Sequence, residues 1–467
     1  MAPCPSLLHC RSIFGDPVVM TSYSGKFRYL EAAGTSLQEG SCRLTFEEET
    51  LTLTPSGGAG LACDLADIDS FSPGEYELSL KLYTGKTILL YHFAKDFQNL
   101  CRCFLEAWRE RVLKCLLLED LEEVARFDGS AQLDEAGGSF SGRAEIRLYR
   151  SNLAILPENA GASSWRLADI DSVDFDEATY TLGLRSGADR LILTRLAKRT
   201  REFIDKLREG MTSISEKGAS RIHGLFPFLT PDQTRRVAEL MREGRAVHVS
   251  KLTSIHSKIP EALLRNAVDA KLKPYFDRLV AMAGGSGYFT GYKFIRPGPE
   301  DEEFEAPGDE VAADSAEADA ADGGPSDAAF QEQEEEAAEE KEETNPALHF
   351  FYFPLSASRS GAPAGVVAWE AGTRGGRATY FFRLESSGSI EDAVGALNRA
   401  IVLLNFRREP IYLPDDSLET QPRFHRYAIA SRKIPALRRL RSAFLGRAIH
   451  TTPEAWAKQV QNVISRA

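Results

Sequence analysis

The chain has 467 residues, of which 43% are hydrophobic and 27% are charged, as is typical of soluble globular proteins. No stretch approaches the roughly 18 consecutive apolar residues needed to span a bilayer, and the first twenty residues lack a secretory signal pattern, so we expect a cytoplasmic protein. The seven cysteines are odd in number and show no C-x-x-C spacing, which argues against a disulfide scaffold or a metal site.

The net charge of −12 is concentrated in one segment. Twenty acidic residues and one basic residue lie between Glu300 and Glu343, so the rest of the chain is mildly basic. At the other end of the chain, residues 1–19 are interpreted as a loose tail, because "MTSYSGKFRYL" reads as an ordinary beginning from Met20.

The hexapeptide "LADIDS" occurs at residues 65–70 and again at 167–172. Upstream of each copy, "RLTFEEETLTLTP" and "EIRLYRSNLAILP" show the same apolar alternation, which indicates β-hairpins. Downstream, an amphipathic pattern follows a shared Ala-Lys at 94–95 and 197–198. The sequence therefore predicts antiparallel strands closed by one helix, present twice.

This order of elements resembles the pleckstrin-homology (PH)-like superfold, a bent antiparallel sheet closed by a C-terminal helix. Trp108 lies in the first closing helix, where PH domains typically carry a Trp, whereas the second copy has Met211. The resemblance covers about residues 22–213 and implies PH-like domains at 20–118 and 119–215. It also implies binding of peptides or lipid headgroups, although Lys86 and Arg190 are the only cations in the "YTGKT" and "SGADR" loops.

Each LADIDS copy places two carboxylates on alternate positions, Asp67 and Asp69 in the first and Asp169 and Asp171 in the second. We interpret them as structural marks that cap a turn beside a strand. The further oxygen ligands and the turn glycine of a Ca²⁺ loop are missing. Contact with a partner is the remaining alternative.

Residues 216–283 read as a helical connector. Thr230, Pro231 and Gln233 form a capping box that predicts a helix start, and a second helix is predicted from Pro260 to Met282. The segment between the two helices is far longer than the tight turn of a helix-turn-helix DNA reader.

Residues 284–467 predict a C-terminal α+β domain, interrupted by a disordered acidic insertion at 299–345. Its strands precede a helix from Ile390 to Phe406 capped by Ser389, and Thr452 caps a final helix whose Trp456, Val460 and Val463 form a docking stripe. The acidic insertion is either a solvating loop or an electrostatic mimic of nucleic acid. Whether this domain is a third, diverged repeat stays open.

A basic region precedes the final helix. Leu437, Leu440 and Phe444 are predicted to share one face of a basic amphipathic helix. Such a helix is either packed with solvated arginines, or binds nucleic acid, an anionic membrane surface, or the acidic loop of the same molecule. The candidate anion- and partner-binding residues are Arg423, Arg426, Arg432, Lys433, Arg438, Arg439, Arg441 and Arg447.

No H-E-x-x-H, G-x-S-x-G or Walker motif is present, and we expect no catalytic, cofactor-binding or metal-ligating residues. The sequence thus favours an α+β multidomain, non-enzymatic interaction or scaffold protein whose tandem PH-like domains bind a protein partner. The alternative is a nucleic-acid or nucleoprotein-binding protein, since tandem PH domains joined to an acidic tract also resemble histone-chaperone subunits. Peripheral binding to anionic lipids is the third hypothesis.

Overall fold

The computed structural model confirms the α+β class and divides into two compact units, residues 1–116 with 156–162, and residues 117–155 with 163–467. The predicted tail at 1–19, Met20 and the acidic insertion at 299–345 lie outside the described residues. The structure describes residues 22–47, 49–117, 122–135, 138–158, 162–294, 347–356, 365–372, 377–384 and 389–466.

The first unit contains a curled antiparallel sheet of seven strands in the order β4-β3-β2-β1-β7-β6-β5. The helix Phe97–Cys115 packs on this sheet, with the Phe71 ring 5.2 Å from that of Phe104 and 5.3 Å from that of Trp108. The strands are β1 (Ser22–Leu30), β2 (Ser36–Glu47), β3 (Thr50–Pro55), β4 (Leu61–Asp64), β5 (Ile68–Pro73), β6 (Glu77–Leu82) and β7 (Thr87–Tyr91).

The second unit begins with a curled sheet of the same strand order, β11-β10-β9-β8-β14-β13-β12. Its closing helix, Thr200–Leu225, buries Phe203, Ile204 and Leu207 in the core of that sheet. The strands are β8 (Glu123–Glu135), β9 (Gly138–Tyr149), β10 (Asn152–Pro157), β11 (Ser163–Arg166), β12 (Ser172–Asp176), β13 (Thr181–Ser186) and β14 (Asp189–Thr194).

Backbone register shows that the two sheets are copies of one design. Tyr23 pairs with Leu44 in the first sheet, and Phe127 pairs with Ile146 in the second. Before each closing helix, two non-glycine residues adopt left-handed backbone angles: His92 and Ala94 have φ of 61° and 46°, and Arg195 and Ala197 have φ of 61° and 52°. Because such angles are uncommon outside glycine, their recurrence confirms the duplicated module, and this architecture is consistent with the PH-like superfold.

The LADIDS motif forms the same local structure in both copies, a single 3-10 turn leading into an edge strand. The turns are Leu65–Asp67 and Leu167–Asp169, and the apolar side chains of both are buried. The capping carboxylates differ from copy to copy. Asp64, just before the motif, accepts the backbone N–H of Ala66 at 2.7 Å, whereas Asp171 accepts the N–H of Gly187 in the next hairpin turn at 2.8 Å.

The connector consists of short helices, and the capping box at Thr230 and Gln233 is present as predicted. The predicted single helix from Pro260 to Met282 is wrong. It divides into Ile259–Ala267 and Lys273–Ala283, because residues 268–272 form a turn in which Asp269 accepts backbone N–H bonds from Lys271 and Leu272. The connector helices are Pro231–Leu240, Val249–Ile255, Ile259–Ala267 and Lys273–Ala283.

The C-terminal part is a six-stranded antiparallel sheet between two layers of helices. One face packs on Lys273–Ala283 and on the final helix, where Trp456, Val460 and Val463 are buried as the stripe predicted. On the other face, Tyr352 donates a hydrogen bond to Asn398 of the helix Ile390–Leu403 at 2.9 Å. The strands, in spatial order, are β15 (Val247–His248), β16 (Phe289–Phe294), β17 (Ala347–Ser356), β18 (Gly365–Ala371), β19 (Ala378–Arg383) and β20 (Phe444–Ile449).

Helices occupy most of the chain after residue 389, and the predicted N-caps Ser389 and Thr452 accept the backbone N–H groups of Asp392 and Ala455. Ile390–Leu403 ends three residues before the predicted Phe406. The helices of this part are Ile390–Leu403, Glu409–Tyr412, Asp415–Thr420, Pro422–Lys433, Pro435–Ala443 and Pro453–Ile464.

The predicted basic amphipathic helix is correct only in its first half. Leu437 and Leu440 are buried on the helix Pro435–Ala443, but the helix ends there and Phe444 begins β20. The backbone of Phe444 is extended because residues 444–449 pair with β19 at the edge of the sheet. The Phe444 ring lies 5.8 Å from that of Phe382, so sheet pairing has overridden the helical periodicity.

Candidate functional site

The second sheet has a turn end, formed by its LADIDS turn (residues 167–171) and the β13–β14 turn (residues 186–189). A short connector segment, Arg242–Arg245, docks on it, and we name this segment the docking turn. Arg242 donates hydrogen bonds to the carbonyl oxygens of Ala168 at 3.1 Å and Ile170 at 2.9 Å. Arg245 pairs with Asp171 at 2.8 Å. The second LADIDS motif therefore holds polypeptide through its backbone as well as its carboxylate.

The backbone carbonyls of the docking turn also accept hydrogen bonds. Arg166 donates to the carbonyl of Glu243 at 2.6 Å, and Asn398 donates to the carbonyl of Gly244 at 2.7 Å. Gly244 has φ of 76°, and a Cβ there would lie 2.5 Å from Nη1 of Arg166. The turn thus requires glycine and connects the second sheet to the helix Ile390–Leu403.

Two nearby carboxylates partly offset the cost of burying the Arg242 charge at this contact. Burial lowers the pKa of the Arg242 guanidinium, as does the neighbouring Arg245, while Asp171 and Asp169 oppose that change. Farther along the same end, Arg399 pairs with Asp189 at 3.0 Å. Carbonyls and carboxylates of the second sheet therefore face guanidinium groups of the connector and the C-terminal part.

At the turn end of the first sheet, residues 65–69 and 82–86, a different side chain donates the hydrogen bond to the carbonyl of the LADIDS motif. Nε1 of Trp108 lies 3.4 Å from the carbonyl oxygen of Ile68, the equivalent of Ile170. Met211 replaces this Trp in the second copy, and its side chain has no N–H to donate, so Arg242 takes over the role. Lys86 occupies the position equivalent to Asp189 and lies 3.5 Å from Glu31. The side chain at this position is therefore positive in the first copy and negative in the second, where Asp189 pairs with Arg399.

A cleft of about 470 Å³ lies beside the docking turn, within the second unit. Its walls come from the second turn end, the connector, the helix Ile390–Leu403 and the helix Pro435–Ala443. The small side chains of alanines 393, 396, 400, 436 and 443 line the space between these walls, and charged side chains surround it. A volume of this size is typical of a ligand site.

The eight basic residues predicted as a candidate site do not share one element. Arg423, Arg426 and Arg438 are exposed, whereas the other five are half-buried. Helix Pro422–Lys433 carries Arg423, Arg426, Arg432 and Lys433, helix Pro435–Ala443 carries Arg438, Arg439 and Arg441, and β20 carries Arg447.

Several of these basic side chains have structural partners. Arg441 donates to the carbonyl of Leu413 at 2.8 Å and pairs with Asp415 at 2.6 Å. Arg432 pairs with Glu419 at 2.8 Å, and Arg447 lies over the Tyr412 ring at 4.1 Å. Such contacts reduce the number of cations available to an external polyanion.

The sequence predicted the LADIDS carboxylates but missed the docking turn. Arg242, Gly244 and Arg245 lie in "MREGRAV", which looks like a polar helix end followed by a capping glycine. Of the four marked carboxylates, Asp171 contacts both its own hairpin turn and the docking turn. Asp69, its equivalent in the first copy, is also exposed but forms no ion pair with a described cation.

Two features of other site classes are absent from the part of the chain that the structure describes. It contains no group of three or more His, Cys, Asp or Glu side chains placed to hold a metal ion. Among the described helices, none combines the length and the hydropathy of a bilayer-spanning segment.

Comparison with known proteins adds little to this description. No protein-family model matches the chain, and no curated protein matches it either. Among solved structures, the chain is similar to one reported as "Structure of the Spt16D Pob3N heterodimer", with 19% identity over 36% of this chain and 84% of that chain, and a TM-score of 0.16. At that TM-score the likeness carries no argument about fold or function.

Proposed function

We propose that the chain is a non-enzymatic interaction protein whose two PH-like modules bind polypeptide at their turn ends. The observation that carries this proposal is the pair of hydrogen bonds from Arg242 to the carbonyls of Ala168 and Ile170. One copy of the module thus already holds a segment of chain at its LADIDS turn. Hydrogen bonds to main-chain groups are a common source of affinity for a bound peptide.

The first copy presents side chains of its turn end to a partner, because Trp108 already donates to the carbonyl of Ile68. Asp69 is exposed and forms no ion pair with a described cation, and Tyr83 is 44% exposed. Tyrosine is enriched at protein interfaces because its ring adds apolar area while its hydroxyl stays wet. Since Lys86 replaces Asp189, the partner of the first copy differs from the docking turn in charge.

Co-purification from native cells tests this proposal. The bait is the full-length chain, compared with the double variant Asp69→Arg/Tyr83→Ala. The matched control is Asp174→Arg/Tyr180→Ala, which changes an exposed acid and an exposed tyrosine of the second copy outside its turn end. We expect a partner that is lost with the first variant and kept with the control, and whose purified form binds the first variant at least tenfold more weakly. Partners that survive the first variant, or equal losses in both, contradict the proposal.

Nucleic-acid binding is the second candidate, and it depends on the exposed Arg423, Arg426 and Arg438. If each neutralises one phosphate, the slope of log affinity against log salt is about −2.7, or a loss of about 40-fold between 50 and 200 mM salt. A mobility-shift titration with a DNA duplex, with and without residues 299–344, measures this slope. Retention of the shift in the variant with all three arginines changed to Gln rules this candidate out.

A further inference from the structure

We propose that the cleft of the second unit binds an acidic segment of a partner protein, with an apolar side chain between its alanine-lined walls and carboxylates at Arg383 and Arg439. This surface differs from the first turn end, so the inference goes beyond the proposed function and does not depend on it. Arg383 ends β19, and Arg439 lies on the helix Pro435–Ala443. Both residues line the cleft.

The cations around the cleft already show what they bind. Arg245 pairs with Asp171 at 2.8 Å, and Lys251 pairs with Glu391 at 3.0 Å. Arg399 pairs with Asp189 in the same way. Every one of these contacts is a carboxylate on a guanidinium or ammonium group, the charge-assisted bond that Arg favours.

Arg383 and Arg439 are the cleft arginines that lack such a contact. Within the described ranges, neither forms an ion pair with a carboxylate. Arg383 is exposed and Arg439 is half-buried. Glu135 is near enough for its charge to interact with Arg439, but its carboxylate accepts from Ser163 and Trp165, both at 2.6 Å. Two guanidinium groups therefore remain for an external anion.

The acidic residues of the cleft do not offer the same opportunity to a basic ligand. Asp169 lies 3.9 Å from Arg166, and Asp392 accepts a hydrogen bond from Ser389 at 2.7 Å. Glu239 interacts electrostatically with Arg242. Four of the cleft acids, Asp169, Asp171, Asp189 and Glu391, have a basic partner. Since Arg383 and Arg439 form no ion pair with a described carboxylate, charge complementarity favours an acidic ligand.

The shape of the cleft favours a peptide over a small anion. Ala393, Ala396 and Ala400 recur at helical spacing on one wall, and Ala436 and Ala443 face the same space from another. An inorganic anion would leave this apolar surface in contact with water. A bulky aliphatic or aromatic side chain, flanked by glutamates or aspartates, would fill it.

A binding titration by fluorescence anisotropy tests the inference. The probe is a labelled synthetic peptide with two leucines among glutamates, compared with matched peptides in which Gln or Lys replaces Glu. We expect the full-length chain to prefer the Glu peptide, and the Arg383→Gln/Arg439→Gln variant to bind it at least tenfold more weakly. Arg438→Gln is the matched control, because Arg438 is exposed on the same helix and does not line the cleft.

A second variant separates ligand loss from misfolding. Ala396→Leu fills the cleft without changing charge, and we expect at least fivefold weaker binding with an unchanged circular dichroism spectrum. Arg383→Lys/Arg439→Lys keeps both charges and is expected to recover part of the affinity. If binding appears only after residues 299–344 are deleted and still requires both arginines, the preference for acidic segments stands, with the chain's own acids as competitor.

Several results overturn the inference. They are equal binding of the Glu and Gln peptides, preference for the Lys peptide, equal loss in the Arg438→Gln control, or no binding at millimolar peptide either with or without residues 299–344. Displacement of the Glu peptide by inorganic phosphate, with no effect of Ala396→Leu, would show a small-anion site instead. None of these outcomes involves Asp69 or Tyr83, so failure here is distinguishable from failure of the proposed function.

Discussion

Acid sensitivity of the C-terminal sheet is the consequence of burying His349. This residue lies on β17 opposite Tyr292 and is only 4% exposed, and none of the described residues hydrogen-bonds to its Nδ1. Burial lowers the pKa of His349 from 6.5 to about 4, because a charged imidazolium is poorly solvated there. The folded chain therefore holds this histidine neutral.

The linkage between proton binding and folding gives the magnitude. Between pH 6.5 and 4 the unfolded chain binds a proton that the folded chain does not, so stability is complete above pH 6.5 and falls as the pH is lowered toward 4. With those two pKa values, His349 removes about 2 kcal/mol from the free energy of unfolding between pH 7 and pH 5. That is a large fraction of the stability of an ordinary domain.

Urea unfolding at pH 7 and pH 5, followed by tryptophan fluorescence, measures this loss. The variant His349→Leu keeps an apolar side chain of similar size and cannot titrate. We expect the wild-type chain to lose about 2 kcal/mol more than the variant over that interval. Equal losses, or a pKa of His349 near 6.5 by nuclear magnetic resonance, would refute the reasoning.

Three further predictions concern the second unit. Gly244→Ala should lower the free energy of unfolding in urea by about 1–3 kcal/mol, because Gly244 has a positive φ and a Cβ there would contact Arg166. Gly218→Ala, with open space around it, should be neutral or stabilising. Equal effects of the two variants would contradict the role of the docking turn. Arg242→Met should lower the free energy of unfolding by about 1–3 kcal/mol and speed hydrogen exchange around Ile170. Unchanged exchange would argue that the hydrogen bonds from Arg242 to the Ala168 and Ile170 carbonyls do not hold the docking turn. Burial raises the pKa of Glu135, so ionisation of its carboxyl destabilises the fold and the urea midpoint should fall as the pH rises above the ordinary pKa of 4.5. Glu135→Gln should remove that fall. An identical pH profile in the variant would show that burial of Glu135 is not its cause.

Local signals made much of this fold predictable. The capping box at Thr230 and the stripe at Trp456, Val460 and Val463 depend on neighbours within one or two helical turns, so the sequence alone was sufficient. The duplicated sheets were predictable because LADIDS and the alternation around it survived in both copies. The helix break at Asp269 and the strand at Phe444 were missed, since a turn stabilised by the Asp269 side chain and sheet pairing override apolar periodicity.

The contacts of the candidate site were not predictable in the same way. Arg242 lies more than seventy residues from Ala168, and an arginine at the end of a polar helix normally suggests a solvated side chain. Only the substitution of Met211 for the tryptophan of the first copy hinted that the Ile170 carbonyl needed another donor. The cleft is lined by several segments that lie far apart in the chain, and no short sequence motif marks it.

The change from Trp108 to Met211 has a practical consequence for dividing this protein. The first copy supplies the donor for its own motif from its own closing helix, through Trp108. The second copy borrows its donor from downstream, and a fragment ending at residue 215 would cut its closing helix and discard Arg242, Arg245 and Arg399. Expression of that fragment alone should give an incomplete, aggregation-prone product, because an ancestral module became dependent on the chain that follows it.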